Sequence, residues 1–197
     1  MFEYELPTSV ILNSTAHPIR KDGDFRMVLD CFRVLQDVEL DNTERILACL
    51  VIFYDELDGI ESINQLGDIE EAVKQMFSFF NCNQSAVGIK AEGKVIDWSN
   101  DALMIISAIN SVAGKEVRAE KYVHWWTFMS YYMAIGDSTL STVVNIRRKI
   151  LRDKKLEKYE REYVNENPEL FKKPETYTAE EQDFLDEIQA NWHKGGP

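Results

Sequence analysis

Residues 41–57 read DNTERILACLVIFYDEL, and this stretch decides the fold class. Asp41, followed by an acid at Glu44, is typical of a helix start, because a capping side chain and a first-turn carboxylate stabilise the free N–H groups there. The residues from Ile46 to Phe53 are then all apolar. A helix that is apolar on nearly every side is a buried one. We therefore expect a central helix here, with other helices packed around it.

The segments on either side of this helix have the same helical period. A first helix behind Asp24 and a third behind Asp68 each carry an apolar stripe at steps of three and four residues, with the aspartate as N-cap. Three more helices are predicted: one opening at Asp97 and ending at Gly114, one from about Ala119 to Ile135, and one from Leu140 to Leu151 behind the cap segment Gly136–Ser138. The last of these continues or restarts through Tyr163.

The two ends of the chain have a different pattern. Within residues 1–22 a β-hairpin is predicted, in which Ser9–Leu12 and His17–Arg20 flank turn-forming residues. Near the other end, residues 166–177 read as a linker, and a capping box at Thr178–Glu181 starts a C-terminal amphipathic helix over 178–193. This helix docks on its own domain or on a neighbouring subunit, and the sequence leaves both alternatives open.

Together these segments predict a mainly α-helical protein. We expect a single helical bundle of about six to seven helices over residues 1–165, with a small N-terminal β-hairpin. Inside it, residues 88–96 read as a small hairpin or loop. The chain has no run of eighteen apolar residues and no signal-peptide pattern, so we expect it to stay in the cytoplasm where it is made. Its three cysteines, Cys31, Cys49 and Cys82, are then free thiols.

The charge of the chain is strongly acidic but uneven. The net charge is −12, which argues against nucleic-acid binding by the surface as a whole, because phosphates repel such a field. From Asn145 to Arg161, however, eight basic residues stand against three acidic ones, so the rest of the chain carries −17. A basic patch on an acidic body suits a directed contact with another protein.

Motifs of catalysis and metal binding do not occur in this sequence. The histidines His17, His124 and His193 are far apart, and there is no Cys-x-x-Cys pair, so no ligand set with metal-binding spacing arises. Glycine-rich phosphate loops and nucleophile elbows are absent as well. We expect no enzyme activity, no cofactor and no metal.

A dense aromatic stretch lies at residues 122–132, where six of eleven residues are aromatic. So much apolar area on all sides of a helix indicates either deep burial or an exposed binding surface. Burial is the simpler interpretation, and it makes His124 a hydrogen-bonded core residue. Trp125, Trp126 and Phe128 belong to the same predicted core.

Two other segments are the candidate partner-binding surfaces. The first is the basic run, which we take as either a solvated helix face or a docking site for an acidic partner, with Arg148, Lys154, Lys155 and Lys158 as contacts. The second is the apolar stripe of the last helix, with Leu185, Ile188 and Trp192. Arg147, between Val144 and Ile150, is expected to be semi-buried and paired.

Several short motifs together resemble a family of small tail-region proteins of long-tailed phages and prophages of Gram-positive bacteria. The motifs are Leu6–Val10, Pro18-Ile19, Asp24–Arg26, Asp97-Trp98, Ile105-Ile106, Ala108–Asn110, Gly114, Arg118, His124-Trp125-Trp126-x-Phe128, Asp137-x-Thr139-Leu140, Val144-x-Ile146-Arg147 and Lys154-Lys155-Leu156-x-Lys158-x-Glu160-x-Glu162. The resemblance extends to about residue 165. His124, Trp125, Trp126, Phe128 and Arg147 are carried over only as family hallmarks.

The resemblance implies a role in tail assembly. Genes of such proteins usually lie between those of the major tail protein and the tape-measure protein, which implies a chaperone or scaffold that binds the tape measure or the tail-tube protein. It would act in the host cytoplasm and be absent from the mature virion, with homo-oligomers possible and no membrane contact. The alternatives are a structural virion tail component and, with less support, a nucleic-acid-binding regulator that uses the basic run.

Overall fold

The computed structural model describes residues 5–37, 39–84 and 95–171. Over these ranges the chain is mainly helical behind an N-terminal hairpin, which confirms the predicted fold class. The elements are β1 (Ser9–Leu12), β2 (Thr15–Pro18), α1 (Phe25–Leu35), α2 (Asn42–Phe53), α3 (Ile69–Phe80), α4 (Ala102–Ala113), α5 (Trp125–Met133), α6 (Thr139–Leu151) and α7 (Lys158–Glu166). Short 3-10 turns at Arg20–Gly23, Ile60–Leu66, Val117–Ala119 and Pro168–Phe171 connect or follow them.

The helix starts that carry a capping side chain lie where the sequence predicts them. Asp24 accepts a hydrogen bond from the N–H of Arg26 at the start of α1, and Asp68 accepts one from Glu71 at the start of α3. Asp41 and Glu44 form a reciprocal capping box before α2. These contacts are local in sequence, so a single chain segment is enough to specify them.

The hairpin is tighter than the sequence suggests. β1 and β2 pair antiparallel, with Leu12 opposite Thr15, so Asn13 and Ser14 alone make the turn. Both turn residues have positive φ, 47° and 68°, as a two-residue turn with the twist of a hairpin requires. The second strand therefore begins at Thr15, two residues before its predicted start at His17.

Two helices begin later than predicted. α4 starts at Ala102 and not at Asp97, because the Asp97 carboxylate accepts hydrogen bonds from the N–H groups of Ser99 and Asn100 and holds a turn instead. α5 starts at Trp125 and not near Ala119, because His124 forms an extended bridge with Asp24. The sequence left open whether α6 continues or restarts. In the structure the helix is interrupted, with Asp153 at φ 50°, and a separate helix begins at Lys158.

The chain divides into two compact units. The first contains residues 1–85 and 116–133, and its described part holds the hairpin, α1, α2, α3 and α5. Its core is aromatic, with the ring of Phe25 stacked on that of Phe128 at 4.4 Å and Phe53 set edge-on to Phe79. The aromatic stretch therefore contributes rings to the core of the first unit.

The second unit contains residues 86–115 and 134–197, of which α4, α6 and α7 are described. Val143, Ile146 and Phe171 form its buried centre. Phe171 follows Pro168 inside the predicted linker, so this part of the linker packs against α6. The predicted domain boundaries stay a prediction.

Several predicted segments lie outside the described residues. These are most of the loop or hairpin at 88–96, the linker from 172 onward and the last helix, 178–193, with Leu185, Ile188 and Trp192. Of the helices that are described, none has the length and apolarity needed to cross a membrane.

Candidate functional site

The two neighbouring tryptophans at the start of α5 hold the end of α3. The indole Nε1–H of Trp125 donates to the carbonyl oxygen of Phe80 at 2.8 Å, and that of Trp126 donates to the carbonyl of Phe79 at 3.0 Å. The last carbonyls of a helix have no partner within it. The tryptophan pair therefore supplies donors to the C-terminus of α3, with the Trp125 ring in the core and Trp126 half-buried.

His124 connects the same point to the segment in front of the hairpin. Its Nε2 lies 3.0 Å from the carbonyl oxygen of Pro7, and its Nδ1 accepts the N–H of Trp126 at 3.0 Å. The imidazole is thus a donor at Nε2 and an acceptor at Nδ1, which is its neutral form. Burial lowers the pKa of His124, against smaller opposing effects of Pro7 and Asp24. The side chain is only 1% exposed.

A glycine makes room for this imidazole. Gly23 has φ +78°, and a Cβ at this position would lie 2.8 Å from the ring of Phe79 and 3.0 Å from Nε2 of His124. Both the backbone conformation and the close contact exclude a side chain here.

Asp24 joins α1 to the segment that precedes α5. Besides capping α1, its carboxylate accepts the N–H of Val123 at 3.0 Å and pairs with the guanidinium of Arg26 at 2.9 Å. Arg26 in turn donates to the carbonyl oxygens of Arg118 and Glu120. These hydrogen bonds join the start of α1 to the segment that precedes α5.

Arg147 is an internal residue of the second unit. Its guanidinium makes a two-pronged ion pair with the carboxylate of Asp101, at 2.5 and 3.0 Å, and also donates to the carbonyls of Val95 and Leu170. Asp101 is 1% exposed. A paired and hydrogen-bonded charge is the form in which an arginine can be buried. This residue therefore fixes α4 to α6 and does not face a partner.

Two other cations of the basic run are also paired within the unit. Lys149 donates to both carboxylate oxygens of Glu160, at 2.7 and 2.9 Å, and this hydrogen bond lowers the pKa of Glu160. Lys158 lies 3.8 Å from Glu162, one turn further along α7, as a loose surface pair. The basic run is continuous in the sequence, but in the structure some of its cations are paired inside the unit whereas others lie on the surface.

A groove lined by several cations of the basic run lies between α6 and α7. The groove has a volume of about 410 Å³, and its lining includes Tyr159, the ion pair of Lys149 with Glu160, and three further cations, Arg148, Arg152 and Lys154. Tyr159 is 65% exposed, and Lys154 is exposed as well. Of the predicted contacts, Arg148 and Lys154 belong to the groove, whereas Lys155 and Lys158 are exposed outside its lining. This basic groove is the candidate partner-binding site.

Sequence reasoning did not assign a role to Asp101, Arg152 or Glu160, although Glu160 belongs to one of the family motifs. Asp101 and Glu160 are two of 34 acidic residues, and nothing in their local pattern marks them as the buried partners of Arg147 and Lys149. Only the structure identifies them, because each residue is at most 3% exposed, and a carboxylate can be buried to this extent when it is paired. Arg152 lies inside the basic run and could have been found as the residue one turn after Arg148.

The buried polar side chains of the described residues all have partners in the fold. Within residues 5–37, 39–84 and 95–171, every buried side-chain nitrogen or oxygen has a hydrogen-bond partner. The same ranges contain no group of three or more His, Cys, Asp or Glu residues placed to hold a metal ion.

Comparison with protein-family models gives a match. Residues 2–172 match the model of a protein family described as Bacteriophage Gp15 protein. The match includes the aromatic stretch, the buried Arg147 and the basic groove, and it ends next to Phe171. No curated protein and no solved structure matches the chain.

Proposed function

This chain belongs to the bacteriophage Gp15 protein family, and we propose that it is a tail-assembly chaperone that binds a phage tail protein through the basic groove of α6 and α7. The expectation of a bacteriophage protein family is confirmed by the match. A gene position just upstream of the tape measure and a Gram-positive host belong to the proposal. So does the absence of enzyme activity.

The basic groove is the observation that supports this proposal. Four cations, Arg148, Lys149, Arg152 and Lys154, line this groove with a single carboxylate, that of Glu160, on a chain whose net charge is −12. Charge complementarity across an interface guides encounter and fixes the orientation of the partners. A groove of this kind between two helices suits a helical segment with an acidic face.

The partner in this proposal is the tape-measure protein or the tail-tube protein. A long helical protein needs to be kept from aggregating before the tube assembles around it, and an acidic carrier adds the net charge that keeps a complex soluble. The carrier acts in the host cytoplasm and leaves before the particle is complete.

Co-expression with the tape-measure protein of the same phage tests the proposal. We expect a larger soluble fraction of the tape measure and a complex that survives gel filtration. Arg152→Glu/Lys154→Glu is expected to weaken the complex, and Arg33→Glu/Lys121→Glu, an equal charge change at exposed sites of the first unit, is expected to leave it intact.

Two outcomes would contradict the proposal. If tape-measure solubility is unchanged and no complex forms with either tail protein, the chaperone role is wrong. If mass spectrometry of purified particles finds the chain in stoichiometric amounts, it is a structural component of the virion tail instead.

A further inference from the structure

We propose that Cys31 and Cys49 are an oxidisable pair, in which hydrogen peroxide converts two buried thiols into a disulfide that joins α1 to α2. The pair belongs to the first unit, whereas the basic groove belongs to the second. The inference therefore does not depend on the proposed function.

The two cysteines face each other where α1 packs against α2. The thiol of Cys31 donates to the carbonyl oxygen of Cys49 at 3.8 Å, and the thiol of Cys49 donates to the carbonyl oxygen of Cys31 at 3.5 Å. The contact is reciprocal, so each sulfur lies beside the backbone of the other residue. Side chains that point toward each other across a close helix contact meet the main geometric condition for a disulfide.

Burial decides which product the oxidation of this pair can give. Both cysteines are 0% exposed, within a unit whose core is filled by aromatic rings. A close-packed interior has no room for a bulky adduct such as glutathione on either sulfur. A disulfide adds no atoms, because two hydrogens leave and one sulfur–sulfur bond forms. The stable oxidised form of this site is therefore the disulfide.

Hydrogen peroxide is small enough to reach the pair during a local opening of the helix contact. One thiolate attacks the peroxide and displaces hydroxide, which takes up the proton of that thiol as water, and the sulfur becomes a sulfenic acid. The second thiol then attacks this sulfur, and the sulfenic oxygen leaves as another water. The two sulfurs are oxidised and the two peroxide oxygens are reduced, so atoms and electrons balance.

The rate of this reaction is expected to rise with pH. The hydrogen bond with the Cys49 side chain, followed by burial, raises the pKa of the Cys31 thiol. The reactive form is the thiolate, so a raised pKa keeps the pair reduced at neutral pH when peroxide is scarce. A reducing cytoplasm favours the same dithiol form. The disulfide is therefore a response to oxidative stress.

The link would stabilise the first unit. Joining Cys31 to Cys49 closes a loop that contains the connection between α1 and α2, which restricts the unfolded chain. α1 also begins at the junction where Asp24 binds the N–H of Val123. A covalent bond between α1 and α2 thus ties this junction to the central helix.

Intact-mass analysis of full-length Cys82→Ser after treatment with hydrogen peroxide tests the proposal. Cys82 is half-buried beyond the end of α3, so its replacement leaves the α1–α2 contact unchanged and removes the third thiol. We expect a mass loss of two hydrogens, no free thiol in the denatured chain, and a monomer on a non-reducing gel. Peptide mapping is expected to link Cys31 with Cys49. The melting temperature is expected to rise by roughly 5–10 °C and to return after reduction.

Matched controls retain one thiol of the pair. Cys31→Ala/Cys82→Ser and Cys49→Ala/Cys82→Ser are expected to show neither the loss of two hydrogens nor the rise in melting temperature. The wild-type chain, in which Cys82 reports that peroxide has reacted, controls for the oxidant. The proposal is overturned if Cys31 and Cys49 stay thiols at alkaline pH after Cys82 is oxidised, if oxygen is added without a sulfur–sulfur bond, or if disulfides form only between molecules. A link that lowers the melting temperature would overturn the stabilising role.

Discussion

The indole N–H of Trp125 donates a 2.8 Å hydrogen bond to the carbonyl oxygen of Phe80, which lies 45 residues earlier in the chain. Trp125 is 1% exposed, so this bond is shielded from water. The neighbouring Trp126 makes a similar bond to Phe79 from a half-buried position. The two tryptophans of the family motif therefore have a structural role: from the start of α5 they donate hydrogen bonds to the last carbonyls of α3.

Trp125→Phe is expected to destabilise the protein more than Trp126→Phe. The first change replaces a buried indole with a smaller ring and leaves the Phe80 carbonyl without its donor, which costs about 2–4 kcal/mol. The second costs about 1 kcal/mol, because Phe79 keeps backbone donors and water can reach the site. Urea denaturation followed by circular dichroism measures both. Equal losses in the two variants would contradict the capping role.

Gly23→Ala tests the close packing of the same junction. The new methyl group would meet Phe79 at 2.8 Å and His124 at 3.0 Å, in a backbone conformation with φ +78° that disfavours any side chain. We expect a loss of about 2–4 kcal/mol in the free energy of unfolding. Gly114→Ala is the matched control, since its φ of +68° imposes the same backbone strain but nothing lies within 4 Å. If both variants lose the same stability, only the backbone strain matters.

Elements that depend on neighbouring residues could be predicted from the sequence, and those that depend on distant ones could not. The caps at Asp24, Asp41 and Asp68 are complete within a few residues, and so they lie where the sequence predicts them. The start of α5 is set by Asp24, which binds the N–H of Val123 from 99 residues away. No local pattern announces such a contact.

The candidate site follows the same rule. Eight basic residues within Asn145–Arg161 predict a basic surface correctly in outline. Which of them face outward depends on Asp101 and Glu160, and these partners lie on other helices, 46 and 11 residues away. The sequence therefore predicts the basic region but not the groove within it.

The stability of the protein is expected to fall as the pH drops below about 6.5, the unperturbed pKa of histidine. Burial lowers the pKa of His124 in the folded state, so the unfolded chain binds a proton at a higher pH than the folded one. This contribution is fully present above the unfolded pKa and is lost as the pH falls toward the folded pKa.

His124→Gln isolates this effect. Glutamine does not titrate, so the difference in unfolding free energy between the two proteins is expected to shrink as the pH is lowered from 7.5 to 5.5. Carboxylates and His17 are common to both chains and cancel in the difference. A difference that stays constant over this range would show that His124 does not carry the pH dependence.

The ion pair of Arg147 with Asp101 gives the sharpest contrast between single and double substitutions. Asp101→Asn leaves the guanidinium buried without its counter-charge, and Arg147→Met leaves the carboxylate buried in the same way. Each single change is expected to cost about 3–5 kcal/mol, whereas the double variant is expected to lose clearly less than the sum, because no unpaired charge remains. Thermal and urea unfolding of the four proteins measure this coupling.

Arg147 also donates to the backbone carbonyls of Val95 and Leu170, so some loss of stability is expected to persist in the double variant, where these carbonyls lack their donor. Strict additivity of the two single changes would mean that α4 and α6 are held by packing alone, and the buried pair would then have no part in placing the groove that lies beside it.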